Sequence, residues 1–342
     1  MIRVSLVGAA GYTGGELLRL LLRHPEVEVV GVYGEEHAGA RLRELHPHLS
    51  GVVGEDRVKK PDYGKVGSEA ELVFLATPNG VAMRVAPRLL REGAKVVDLS
   101  ADYRFDDVKV YEKYYTKHES PEVKGVYGLP ELYREKIRKA DLIANPGCYP
   151  TAAILALAPL MKGKMVDPGR VVVDAISGTS GAGRGLRENL HHPVCGENVS
   201  AYSATRHRHL PEIKQELEKL AGEEVGLCFT PHLAPVVRGI LSTSHVSLRE
   251  RSSKERLLEL YREFYSGEPF VRVVEGLPEL NYVVGSNYCD IGLEVSEDGR
   301  WVVVVSAIDN LLKGGSGQAV QNMNLRFGVE ETKGLEALPM RP

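Results

Sequence analysis

A short apolar run, Arg3 to Val7, leads directly into Gly8-Ala9-Ala10-Gly11-Tyr12-Thr13-Gly14-Gly15. A leucine-rich segment follows, with Leu17, Leu18, Leu21 and Leu22 on one helical face. This junction constrains the fold more than any other feature of the chain. The first run reads as a buried strand and the second as a helix. Val27 to Tyr33 is a second strand, so the opening of the chain spells βαβ. Parallel strands joined by a helix need a right-handed crossover, which commits this part to a helix-covered parallel sheet. Gly8, Gly11 and Gly14 form G-x-x-G-x-x-G between strand and helix. One glycine permits the tight turn, another the approach of a pyrophosphate to the backbone, and the third close helix–strand packing. N–H groups at the helix start then hold the anion. The usual fingerprint is G-x-G-x-x-G, so the spacing is displaced here.

An acidic residue at the end of the second strand accepts a ribose 2′-hydroxyl, whereas a basic one receives the 2′-phosphate of NADP. Here the strand runs into Gly34-Glu35-Glu36-His37-Ala38-Gly39. Two carboxylates would repel a phosphate; the bland alternative is a pair of solvated loop charges. The candidate cofactor-binding residues are Gly8, Ala10, Gly11, Tyr12, Thr13, Gly14 and Glu35.

Strands continue to alternate with helices over Leu72–Ala76, Val81–Glu92, Lys95–Leu99 and Leu142–Ala144. That pattern predicts a doubly wound α/β domain. After a helix over Pro150–Lys162, the texture changes. Val171–Ile176, Val225–Thr230 and Ile240–Leu248 read as strands, and Cys289–Val295 and Trp301–Ile308 flank the hairpin signal Asp298-Gly299. Helices are expected over Pro211–Leu220, Lys254–Tyr265 and Ser316–Phe327. With 342 residues, two domains are expected: 1–148 with the C-terminal 310–342 as a Rossmann-type domain, and 149–309 as an α+β domain with a mixed, largely antiparallel sheet.

The 43 lysines and arginines against 46 acids leave no basic excess to neutralise phosphates along a nucleic acid. No apolar run approaches the roughly 20 residues needed to span a bilayer, so a cytoplasmic protein is expected. Cys148, Cys195, Cys228 and Cys289 form no C-x-x-C pair, which indicates neither a disulfide framework nor a metal cage.

Cys148 sits in Asn145-Pro146-Gly147-Cys148-Tyr149-Pro150-Thr151, after a strand and a Pro-Gly turn, with Pro150 suited to a first helical turn. A thiol at a helix N-terminus feels the positive end of the macrodipole, and the thiolate is the reactive form. Cys148 is therefore the candidate nucleophile. Arg206-His207-Arg208-His209 precedes a helix, where the dipole disfavours imidazolium and a neutral base can operate. His207 and His209 share one side of an extended stretch, and sequence does not choose between them. Arg206 and Arg208 can attract an anion. Ser177-Gly178-Thr179-Ser180-Gly181-Ala182-Gly183-Arg184 offers hydroxyls and open N–H groups to a phosphate or carboxylate. Ser100 and Arg104, in Ser100-Ala101-Asp102-Tyr103-Arg104, follow a strand at its carboxyl end, and Arg104 is placed either to clamp a phosphate or to pair with Asp102 or Asp106. Candidate substrate-binding residues are thus Ser100, Arg104, Ser177, Gly178, Arg184, His207 and Arg208.

Gly8-to-Gly14, Asp98-to-Arg104, Asn145-to-Thr151, Ser177-to-Gly183, His207-Arg208-His209 with Pro211-Glu212-Ile213, and Ala307-Ile308-Asp309-Asn310-Leu311 occur in an order that resembles the N-acetyl-gamma-glutamyl-phosphate reductase family. That family is related to aspartate-semialdehyde dehydrogenase, and the likeness spans essentially the whole chain. It implies a Rossmann domain with a catalytic and oligomerising α+β domain, hence a homo-oligomer, dimer or tetramer. It implies Cys148 as nucleophile, His209 as acid/base and Asn310 near the nicotinamide, with NADP as cofactor and an acyl phosphate as substrate in arginine biosynthesis. The family usually carries Ser-Arg-x-x-Ala-Gly after the second strand; this chain lacks that arginine, which keeps NAD open. Carrier-bound aminoadipyl phosphate, aspartyl phosphate and a non-catalytic dinucleotide sensor are the competing readings.

Overall fold

The computed structural model describes residues 1–54 and 56–340. It divides into two compact units, residues 1–146 with Gly315–Glu336, and Gly147–Gly314 with residues 337–340. The expected boundaries move accordingly. Residues 310–314 and 337–340 group with the second unit rather than the first, and Arg341 and Pro342 lie outside the described residues.

The first unit holds six strands: β1 (Ile2–Val7), β2 (Val27–Tyr33), β3 (Leu72–Leu75), β4 (Lys95–Asp98), β5 (Val126–Tyr127) and β6 (Leu142–Ala144). They lie in the order β2-β1-β3-β4-β6-β5, and every pair is parallel. Leu72, Val73, Phe74 and Leu75 are all fully buried, as expected of a central parallel strand covered on both faces. α1 (Tyr12–Leu21) buries Leu17, Leu18, Leu20 and Leu21, and α2 (Ala82–Arg91) buries Met83, Val85 and Leu89. The strand order reverses between β1 and β3. At such a switch point the loops at the strand ends diverge and open a crevice. The C-terminal helix, Gly317–Phe327, also belongs to this unit, where Asn324 meets buried His24 at 3.0 Å.

The second unit opens with α3 (Cys148–Lys162). Its alanine, leucine and isoleucine content favours helix, and every residue from Tyr149 to Met161 is buried. Its sheet contains β7 (Val166–Ser177), β8 (Ser200–Ala201), β9 (Leu227–Leu233), β10 (Ile240–Leu248), β11 (Val271–Val273), β12 (Cys289–Val295) and β13 (Trp301–Ile308). The order is β11-β12-β13-β10-β7-β9-β8, antiparallel except for the β11–β12 and β7–β9 pairs. Along β10, buried Ile240, Ser242, Ser244, Val246 and Leu248 alternate with half-buried residues. One sheet face is thus packed and the other partly open. α3 is fastened on the packed side by Ser306, whose hydroxyl donates to the Ala152 carbonyl at 2.9 Å. α4 (Leu210–Ala221) and α5 (Lys254–Phe264) complete the unit, and Tyr261 of α5 and Tyr265, its C-cap, donate to carbonyls of α3.

Candidate active site

In the first unit, the switch point holds a cavity of about 440 Å³ walled by the ends of β1, β2 and β3. Gly8 sits at φ +94°, where a Cβ would strike the Ala76 carbonyl oxygen at 2.3 Å. A Cβ at Gly14 would lie 2.2 Å from the Gly8 oxygen, so this glycine sets the helix–strand approach. Gly11 is different: a Cβ there meets nothing within 4 Å, so the loop is open at this point. Gly11 is also the N-cap of α1, with no side-chain cap and no acid in the first turn. Those N–H groups are available to an anion, and the loop fits a dinucleotide pyrophosphate. Gly8, Ala10, Gly11 and Glu35 line the cavity; Tyr12, Thr13 and Gly14 do not. Sequence reasoning passed over Val58, Tyr63, Thr77 and Pro78, which do. Thr77 and Pro78 follow β3 at its carboxyl end, which was the available signal.

In the second unit, Cys148 is the first residue of α3, half-buried, and Gly147 is the N-cap. Pro150 falls in the first turn, where the missing N–H costs nothing. The turn is held from below by Glu212, a fully buried residue of the first turn of α4 whose Oε1 accepts the Gly147 N–H at 2.8 Å. Cys148 opens onto a cavity of about 430 Å³ that also receives His207, His209, Ser177, Gly178, Arg187, Arg206, Arg208, Tyr149 and Tyr202. Among the described residues no aspartate or glutamate lines it.

The geometry separates the two histidines. The His207 Nδ1 accepts the backbone N–H of His209 at 3.1 Å. Burial, reinforced by the charge of Arg208, takes its pKa down to about 4. His207 is therefore a neutral ring with one nitrogen committed as acceptor. His209 is buried at the N-cap of α4, its ring 4.9 Å from that of His207 and 6.0 Å from Tyr149. The Tyr149 and Tyr202 hydroxyls meet at 3.0 Å, and burial raises both phenols, so they stay protonated.

Several expected contributors do not line this cavity. Arg184 is exposed and does not line the thiol cavity; Arg187 does. In the loop after β7 most N–H groups, those of Gly178 to Gly181 and of Gly183, are bonded within the chain. It folds into a 3₁₀ turn, Thr179–Ala182, in which Thr179, Ser180 and Gly181 donate to the carbonyls of Val236, Val237 and Gly178. Asn310 is in this unit and buried, its Oδ1 accepting from Gly239 N at 2.7 Å and its Nδ2 donating to Ser180 at 3.0 Å. In the first unit, Ser100 donates to Asp98 at 2.9 Å. Arg104, buried there too, bonds the Asn145 and Leu99 carbonyls at 2.8 and 2.9 Å. These contacts tie the ends of β4 and β6 together, and neither residue borders the thiol cavity.

Such an arrangement, an anion-receiving glycine loop in one domain and a helix-start thiol with a histidine in another, defines an α/β dehydrogenase of the semialdehyde type. Residues 3–140 match the semialdehyde dehydrogenase NAD binding domain, and residues 148–310 the semialdehyde dehydrogenase dimerisation domain. The N-acetyl-gamma-glutamyl-phosphate reductase of Methanopyrus kandleri is 54% identical over 98% of both chains. The enzyme of the same name from Geobacter metallireducens is 51% identical over 100% of both. The chain belongs to the N-acetyl-gamma-glutamyl-phosphate reductase family. Among solved structures, aspartate semialdehyde dehydrogenase II of Vibrio cholerae, complexed with ASA, shares the fold at a TM-score of 0.73 and 18% identity over 96% of this chain and 98% of that one. The Candida albicans aspartate semialdehyde dehydrogenase with NADP gives 0.70 at 15% identity, over 95% of this chain and 98% of that one.

Proposed function

We propose that this protein reduces N-acetyl-gamma-glutamyl phosphate to N-acetylglutamate 5-semialdehyde with release of phosphate, through a thioester on Cys148. The observation that carries the reading is the thiol itself: it starts a buried 15-residue helix and opens into a cavity with His209 and three arginines. The helix N-terminus favours the thiolate, which attacks the acyl carbonyl. N–H groups of the first turn of α3 would receive the developing oxyanion, a contribution worth roughly 3 kcal/mol per donor. His209 takes the proton of the Cys148 thiol and hands it to the departing phosphate oxygen. His207, held neutral, orients rather than titrates. A bound nicotinamide dinucleotide, NADPH by the family resemblance, supplies the hydride that takes the thioester to the aldehyde level. Gly8, Gly11 and the α1 N-terminus would hold its pyrophosphate. Collapse of the thiohemiacetal oxyanion then releases the aldehyde and restores the thiolate.

The lining also supports an N-acylated substrate. Arg187, Arg206 and Arg208 suit a carboxylate and a phosphate, and with no acid in the wall the free ammonium of aspartyl phosphate would find no counter-charge. The half-open face of the seven-stranded sheet, with Val172 and Trp301 exposed, supports a homodimer in which a second copy covers it. A thiolate nucleophile suits the reducing cytoplasm. The deciding assay runs the reaction backwards, with phosphate, oxidised coenzyme and either N-acetylglutamate semialdehyde or aspartate semialdehyde. Turnover with the acetylated aldehyde is expected; no turnover, or preference for aspartate semialdehyde, overturns the reading.

A further inference from the structure

Where β2 ends, the dinucleotide cavity is walled by Gly34, Glu35, Glu36 and His37, and both glutamates are exposed. Among the described residues no lysine or arginine lines this cavity. Three arginines of the neighbouring elements have partners of their own. Arg84 of α2 faces Glu119 at 3.4 Å, Arg88 faces Asp62 at 3.3 Å, and Arg57 donates to the Gly39 carbonyl at 2.6 Å. Arg57 and Lys59 flank Val58 on an extended segment bridged to Tyr33. Val58 is buried and forms cavity wall, whereas Arg57 and Lys59 are exposed and do not. Glu35 also acts on Tyr63, another residue of the wall: burial and then the charge of Glu35 raise this phenol, and the charge of Arg84 opposes them.

In an open α/β sheet this strand end meets the adenosine ribose, where a carboxylate accepts the 2′-hydroxyl and a basic side chain receives a 2′-phosphate. A phosphate monoester near pH 7 carries close to two negative charges. Two carboxylates in the wall oppose it, and no cation in the wall offsets them. We propose that Glu35 and Glu36 open this chain to NADH, which binds at least as tightly as NADPH because Glu35 accepts the adenosine ribose hydroxyls. The proposal rests on the dinucleotide reading above and refines it.

The test is calorimetric titration of the full chain with NAD⁺ and NADP⁺, with thermal unfolding of each unliganded variant as the check that it folds. In the unmodified protein the Kd for NAD⁺ should equal or fall below that for NADP⁺. Glu35→Gln removes the charged acceptor and should weaken NAD⁺ by roughly tenfold. The double change Glu35→Ser with Glu36→Arg should tighten NADP⁺ by about tenfold or more, through a charge-assisted phosphate contact. An unmodified protein whose Kd for NADP⁺ lies clearly below that for NAD⁺ overturns the proposal, as does a double variant whose NADP⁺ affinity does not move. Binding of neither coenzyme overturns the dinucleotide reading as well. Binding of both without acyl-phosphate reduction sinks only the assigned reaction.

Discussion

Replacing Gly314 by alanine tests whether the sulfur of Cys148 is held in place by the backbone packed against it. Gly314 lies in the buried π-turn Leu312–Ser316. A Cβ there would sit 2.9 Å from the Cys148 Cβ, 3.2 Å from its Cα and 3.2 Å from Ile308 Cδ1. The first contact is about half an ångström short of ordinary van der Waals distance. Two of the three atoms belong to the first residue of a buried helix and cannot swing aside. Overpacking of this kind costs about 1–3 kcal/mol. In a chain of this size that lowers Tm by roughly 2–10 °C. The same push displaces the nucleophile. Since a misplacement near 1 Å costs about a hundredfold, half of that should lower kcat by roughly tenfold. The assay is the single-turnover rate of Cys148 acylation beside the melting curve, with Kd for the dinucleotide as a control expected to hold. A variant that melts lower yet acylates at the normal rate would refute the reasoning, because the strain would then have been relieved away from the sulfur.

Cys148→Ser should abolish turnover with the fold intact, and His209→Gln should lower kcat by about 10²–10⁴-fold; His207→Gln should cost less, and the reverse ranking in kcat would exchange their roles. His207, whose folded pKa of about 4 lies below its unfolded value, contributes stability that is present above pH 6.5 and lost as pH falls toward 4. Chemical denaturation across that window should show a loss of up to about 3 kcal/mol that His207→Gln flattens. Asp98 behaves oppositely. Fully buried, it is raised to about 7 by burial and then by Asp102, so its contribution is present near pH 4 and lost as pH rises through 7. Asp98→Asn should therefore raise the melting temperature more at pH 8 than at pH 5, with an upper bound of about 4 kcal/mol; an equal shift at both would show that the carboxyl is not protonated in the fold.

The features legible from sequence were those where one residue type satisfies one local demand. Glycines in the turn after β1 must be glycines because Gly8 has positive φ and Gly14 abuts a carbonyl. Cys148 was legible because Pro150 and the preceding Pro-Gly turn mark a helix start whatever the rest of the chain does. Longer elements such as α3, β10 and the β12–β13 hairpin carry their own periodicity. The two-residue β5 and β8 and the three-residue β11 carry none, because their pairing is decided by the sheets they join. Cavity walls were the least legible. Val58 and Tyr63 reach the dinucleotide cavity from a segment with no motif. Arg187 lines the thiol cavity together with Asn189 and Leu190 of the short turn Glu188–Leu190 that follows it, and Arg184 does not.

A motif can also meet the demands of packing, and Ser100 to Arg104 shows how. The segment sits where β4 meets the loop leading away from the sheet, and its polar groups need partners wherever they are buried. Ser100 and the Ser100 N–H serve Asp98. The Asp102 carboxylate takes the N–H groups of Gly80 and Met83 at the start of α2, together with the Tyr111 hydroxyl. Arg104 then bonds the carbonyls of Leu99 and Asn145. A cation that reads as a phosphate clamp thus also braces the last residues before the nucleophile's domain begins. The same chemistry that suits arginine to a substrate anion suits it to converging carbonyls, and only the surrounding chain decides which of the two it meets.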